Sequence, residues 1–229
     1  MDKRGYAAQS RELAASIPKY RLTLTIMNFD FTEKYILENE YVLLRPLEVS
    51  DKEKLINFGI NEPEIWKFNI YGGNGKENFD TYFDTALKLF KEKNHYPFIV
   101  FDKRNSEYVG MTRLYEVSNE FKRLDIGFTW YGKKFQGTGL NKNCKYLLLE
   151  FAFDKLQMIR VGFGANSKNE RSINAMKSIG CKVDGILRQF SKDADGKIID
   201  AIKLSILKDE WEENVKNNLK EQVEKYASS

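Results

Sequence analysis

The chain has 229 residues, 42% of them hydrophobic and 31% charged, which suits a folded domain with a sizeable core and not a chain disordered throughout. Its formal charge is +4, but residues 1–26 carry five basic side chains (Lys3, Arg4, Arg11, Lys19, Arg21) against Asp2 and Glu12, leaving only about +1 on the other 203. That balance speaks against a nucleic-acid partner, the lack of any apolar run near the roughly 20 residues of a membrane span speaks against a membrane one, and a single histidine with two unclustered cysteines speaks against a metal site.

Residues 1–26 have the basic, acid-poor composition of a transit peptide, yet Met27-Asn28-Phe29-Asp30-Phe31 reads equally well as a start. They are therefore expected to be a leader outside the globular part, with one domain over 27–229. Without a signal-peptide core, and with Cys144 and Cys181 read as buried thiols, the expected compartment is a reducing cytoplasm.

The elements alternate from Tyr41 onward. Tyr41 to Pro46 predicts a strand closed by proline, and Ser50-Asp51-Lys52-Glu53 reads as a capping box opening a helix that stops at Gly59. Asn61 to Phe68 suggests a second short helix. The glycine-rich stretch Tyr71 to Lys76 reads as a connector, with a substrate-side lid as the sharper reading, and Phe79, Phe83, Ala86, Leu87 and Phe90 then recur at helical spacing. Pro97 to Phe101, Tyr108 to Tyr115 and Leu124 to Tyr131 predict a three-stranded meander.

After the loop Gln136-Gly137-Thr138-Gly139-Leu140-Asn141-Lys142, an apolar helix is expected through Phe153, then a buried strand from Met158 to Phe163 lying parallel to the strand before the loop. A helix from Asn169 to Ile179 stops at Gly180. Val183 to Phe190 and Ile198 to Ile206 predict a closing hairpin. In the charged C-terminal helix, Trp211, Val215, Leu219 and Val223 form a stripe expected to pack on the same domain.

Gln136 to Lys142 has the character of an anion cradle: glycines admit close backbone approach, and a following helix aims unpaired N–H groups at the guest. A P-loop is rejected because Thr138 stands where the lysine must be, and Gly137-x-Gly139 is only half of a dinucleotide fingerprint. Alone, it would read as a tight turn.

Gln136-x-x-Gly139-x-Asn141 resembles the pyrophosphate loop of the GNAT acetyltransferase superfamily. Phe151-Ala152-Phe153, Ile159-Arg160-Val161, Asn166, Asn169-Glu170-Arg171-Ser172 and the segment from Asp200 to Trp211 resemble its RimJ/RimL-like branch, so that the likeness spans roughly residues 36–212. The resemblance implies an α/β GNAT fold with a mixed sheet of about seven strands and a strand splayed before the loop, at Phe128-Thr129-Trp130. It further implies acetyl-CoA as donor and direct transfer of the acetyl group to a primary amine. Gln136, Gly137, Thr138, Gly139, Leu140, Asn141 and Lys142 would hold the cofactor together with Asn169 and Ser172, Asn141 acting as helix N-cap in place of the family's Gly/Ala.

The tyrosine that many GNAT enzymes use to protonate the leaving thiolate is absent, since Met176 holds its position. Ser172 takes that role in the RimL-like pattern. For the general base the branch's glutamate position falls on Ser191, which cannot serve; Asp125 is the leading candidate and Glu116 the second, while His95 is given no role. A non-catalytic acyl-CoA-binding or regulatory module is the alternative reading. The acceptor is left open between a small molecule and a protein N-terminus, and so is oligomeric state, a homodimer included.

Overall fold

The structure is a computed structural model that describes residues 27–227, so the expected leader at 1–26 lies outside the described residues. Eight strands form one sheet in the order β1-β2-β3-β4-β5-β6-β8-β7. They are β1 (Leu37–Glu38), β2 (Val42–Pro46), β3 (His95–Asp102), β4 (Glu107–Ser118), β5 (Arg123–Tyr131), β6 (Arg160–Asn166), β7 (Lys182–Lys192) and β8 (Ile198–Leu207). All neighbours run antiparallel except β5 and β6, the parallel pair expected from the strand, loop, helix, strand order. The extra strand over the seven expected is β1, whose two residues are too few to show a period.

The helices are α1 (Lys52–Asn61), α2 (Lys76–Lys91), α3 (Leu140–Glu150), α4 (Glu170–Ser178) and α5 (Lys216–Ala227). Helix α3 runs on into a π-helical turn at Phe151–Lys155, and α5 is preceded by Lys208–Glu210 and a second π-helical turn at Trp211–Val215. Because successive residues of a strand point to opposite faces, β3 feeds two cores: Phe98 and Val100 join Leu124, Ile126, Leu148 and Trp211, while Ile99 joins Leu55, Phe79, Phe83, Met111 and Trp130. Helices α3 and α5 thus cover one face and α1 and α2 the other. The stripe Trp211, Val215, Leu219 and Val223 is buried, as expected of a helix serving its own domain.

Two helix boundaries differ from expectation. The capping box is formed by Glu48 and Asp51, not Ser50 and Glu53, because the buried Asp51 carboxylate accepts from the Glu48 N–H at 2.9 Å while also gripping Arg45. Gly59 lies inside α1, where a Cβ would come within 2.6 Å of Phe79, so it admits α2 at close range instead of stopping the helix.

Candidate active site

The loop after β5 ends in two left-handed glycines, Gly137 at φ 77° and Gly139 at φ 84°, a region open to glycine at little cost. Gly139, not Asn141, is the N-cap of α3: the left-handed turn falls at Gly139, so Asn141 is already inside the helix. No side chain caps that terminus and its first turn holds no acidic residue, so the backbone N–H groups of Leu140, Asn141 and Lys142 and the positive end of the helix are not engaged by a cap. This fits a diphosphate.

Side-chain bonds hold the loop, and one of them runs from Asn143 Nδ2 to the Gly139 carbonyl at 3.3 Å. Gln136 Nε2 donates to the Tyr131 carbonyl at 2.8 Å, Thr138 Oγ1 donates to the Phe135 carbonyl at 2.8 Å, and Arg171 donates to Gln136 Oε1. The last bond ties the loop to the start of α4. There Asn169 caps the helix, its Oδ1 accepting the Ser172 N–H at 3.1 Å, and the Ser172 side chain is half-buried. The predicted cofactor segments, far apart in sequence, therefore stand side by side.

Strands β5 and β6 pair only from Arg123 with Arg160 to Asp125 with Gly162, after which β6 continues on β8 and β5 on β4. The expected splay is thus present, next to an irregularity in the β4–β5 ladder where Phe128 takes φ 51°. A bulge re-aims side chains. Thr129 turns toward α3, where Lys145 Nζ donates to its hydroxyl at 2.7 Å, and Trp130 is buried on the opposite face with its Nε1 donating to the Tyr82 hydroxyl at 3.0 Å. With both side chains committed, only the backbone of Thr129 and Trp130 can face a ligand in the splay.

Asp125 sits at the mouth of that splay. Its carboxylate lies across β6, where a Cβ on Gly162 would come within 2.1 Å of Oδ1, and it accepts from Lys203 Nζ at 3.2 Å. Burial first, and then the nearby Asp125 carboxylate, push the Tyr115 hydroxyl well up from its usual range. Glu116 is exposed, at a second irregularity, and lines a cleft of about 420 Å³ with His95, Lys93 and Arg123. Ser191 pairs with Ile199 in the closing hairpin. Both cysteines are free and buried, and burial raises each thiol to about 12.

One constellation escapes sequence reasoning. Arg113 of β4 is 0% exposed, with its guanidinium 4.9 Å from the ring centroids of Tyr82 and Phe128 and 5.9 Å from that of Tyr71. His95 Nδ1 lies 3.4 Å from its Nη1. Burial, and then the charge of Arg113, lower His95 to about 4, so the imidazole is neutral. The available signal was parity: Arg113 shares the buried face of β4 with Met111 and Tyr115, where a charge is out of place.

An uncapped helix terminus behind two left-handed glycines, set beside a parallel pair of strands that parts, is an arrangement suited to an acyl-CoA-dependent transferase. The comparisons agree. The family model described as "Acetyltransferase (GNAT) domain" matches residues 42–182, and the chain belongs to that family. It is 28% identical over 180 residues to "Putative ribosomal N-acetyltransferase YdaF" of Bacillus subtilis (strain 168), covering 76% of this chain and 95% of that one, which supports the RimJ/RimL-like branch. The crystal structure of a GCN5-related N-acetyltransferase from Brucella melitensis shares the fold with a TM-score of 0.77 at 22% identity, over 85% of this chain and 87% of that one. Mycobacterium smegmatis RimJ in complex with CoA-disulfide does so with a TM-score of 0.67 at 16% identity, over 82% and 93%. The chain is a GNAT N-acetyltransferase that uses acetyl-CoA. Among the described residues no helix is long and apolar enough to cross a membrane, and no group of three or more His, Cys, Asp or Glu could hold a metal ion.

Proposed function

We propose that this enzyme acetylates the primary amine of a small molecule or a protein N-terminus, using the residues around the splay in the roles that follow. The observation that carries the reading is the uncapped α3 terminus behind two left-handed glycines, joined through Gln136 and Arg171 to the start of α4. The backbone from Gln136 to Lys142 binds the diphosphate, and Asn169 holds the pantetheine arm with the amide nitrogen that its capping bond leaves over. The backbone at Phe128, Thr129 and Trp130 lines the thioester, in reach of the oxyanion that develops there.

Acetyl-CoA supplies an activated acyl group on a good leaving thiolate. An alkylamine with a pKa near about 10 arrives protonated, so a base must accept its proton before attack. Asp125 has that position, at the point where β5 and β6 part, with Lys203 Nζ 3.2 Å from its Oδ2. Ser172, in the first turn of α4, donates to the leaving sulfur. The two buried free thiols support a reducing cytoplasm as compartment. Val183, Ile186, Leu187 and Phe190, exposed on edge strand β7, supply the apolar surface a homodimer would use.

Thiol release with an amine panel tests the assignment. Asp125→Asn and Ser172→Ala should each lower kcat by about a hundredfold with acetyl-CoA affinity retained, and rates within about threefold of the parent would remove both from the chemistry. Gly139→Val places a branched side chain at φ 84°, with a local cost of about 1–2 kcal/mol. It should weaken acetyl-CoA binding by at least about tenfold in a protein that still melts cooperatively. Unchanged affinity would move the cofactor elsewhere.

A further inference from the structure

We propose that Arg113 is the acceptor clamp of this enzyme and that its acceptor carries a carboxylate beside the amine. The inference rests on the amine-acetylating reading above and adds the chemistry of the substrate.

Arg113 Nε and Nη2 are buried without a hydrogen-bond partner, and the one side-chain hydrogen bond of the guanidinium among the described residues is Nη1 with His95 Nδ1 at 3.4 Å. Nε–H and Nη2–H point the same way along one edge of the guanidinium, a two-pronged donor that matches the two oxygens of a single carboxylate. A guanidinium keeps its proton at any ordinary pH, so the charge cannot be shed as a buried lysine or histidine would shed it. The faces of Tyr82 and Phe128 lie against the cation, each ring centroid 4.9 Å from it, but ring faces do not accept the in-plane N–H bonds at its edge. The unmet demand is for an anion.

Position says which anion. Arg113 stands directly across from Gly127, one residue before the bulge, and Tyr115 stands across from Asp125. Alternation puts Arg113, Tyr115, Asp125 and Gly127 on one face of the sheet, with the splay beside them. A carboxylate on Arg113 would therefore hold its own molecule's amine toward Asp125. The lining is otherwise aromatic, which suits one negative charge and not the two of a phosphate monoester. Tyr71, 39% exposed and stacked on Phe128 at 5.4 Å and 20°, covers the site from a loop whose next residues, Gly72, Gly73 and Gly75, all have positive φ. Turning Tyr71 aside would admit the ligand, which gives the glycine-rich stretch its lid role.

The test uses the full chain with matched amines: a free amino acid against its carboxamide, a peptide with an acidic second residue against its amide counterpart, and a phosphorylated amine against its alcohol. The acid member of one carboxylate pair should exceed its neutral partner by about ten- to a hundredfold in kcat/KM, the worth of one charged hydrogen-bonded pair. Which pair responds tells a free amino acid from an acidic peptide. Arg113→Met should bring the ratio close to one, and Arg113→Lys, which lacks the fork, should keep only part of it; cooperative melting and acetyl-CoA affinity show that each variant is folded. Equal rates within both carboxylate pairs, a preference that survives Arg113→Met, or a preference for the phosphorylated amine alone would overturn the proposal. If no amine turns over although acetyl-CoA binds, the amine-acetylating reading fails on its own. The clamp is then judged by binding: aryl carboxylates should raise the melting temperature of the parent and not of Arg113→Met, and no rise in either would overturn it.

Discussion

Arg45 and Arg113 occupy the same face of the sheet, two strands apart, and meet opposite fates. Arg45 lies over the ring of Tyr108 at 5.1 Å and closes a two-pronged bond on Asp51, Nη1 to Oδ2 and Nη2 to Oδ1, both at 2.7 Å. Burial alone would raise the Asp51 carboxyl, but hydrogen bonds from Arg45 and Lys54 hold it below its usual range. Arg113 has the aromatic half of that arrangement without the carboxylate. The chain can build a complete arginine site from its own residues, and does so beside the start of α1. At the splay it leaves the site half built. An incomplete polar site on a rigid strand costs stability, and enzymes accept that cost where a ligand completes it.

The largest effect should come from making Arg45 resemble Arg113. Asp51→Ala strands a mostly buried guanidinium and removes the bond that starts the turn before α1, so urea unfolding should show a loss of about 3–5 kcal/mol. A loss below about 1 kcal/mol would mean that the Arg45 pair contributes no more than an exposed ion pair. The converse change, Arg113→Met in ligand-free protein, should gain about 1–2 kcal/mol, because relief of an unpaired buried charge outweighs the lost cation–π contacts. A clear loss instead would mark Arg113 as a packing residue, and the two arginines would then differ in geometry alone.

The same contrast explains what could be read ahead of the structure. The strands, the parallel crossover pair and the C-terminal stripe were legible because burial imposes periods of two and of about 3.6 on successive residues. Most of the geometry of the glycine loop before α3 was legible as well, since a helix terminus and its glycines are adjacent in the chain. Two of the caps were not: the box residues Ser50 and Glu53 fit the pattern, but Arg45 recruits Asp51, six residues away, and Asp51 sets the turn. Asn141 lost the N-cap to Gly139 because the left-handed conformation decides it. The Arg113 site draws Tyr71 from a loop, Tyr82 from α2, His95 from β3 and Phe128 from a bulge in β5. No spacing in the sequence announces a meeting of that kind.

Lys145 sharpens the contrast from the other face of the sheet. It is buried on α3 and donates to the hydroxyls of Thr129 at 2.7 Å and Thr112 at 3.3 Å, and burial lowers it to about 8. Unlike a guanidinium, this ammonium can answer burial by losing its proton. A lowered lysine in the folded state means that the unfolded chain binds more protons between about pH 8 and 10.5, so its contribution to stability rises with pH across that window and is flat below it. At pH 7 the burial penalty is about 3 kcal/mol, and two hydroxyl bonds at about 1 kcal/mol each offset most of it. Lys145→Met should therefore gain only about 1 kcal/mol at pH 7, and the difference from the parent should vanish or reverse by about pH 10.5, because there the parent no longer carries the buried charge. Urea unfolding of both proteins at the two pH values reads it; a difference independent of pH would show that the lysine is not paying for a buried charge.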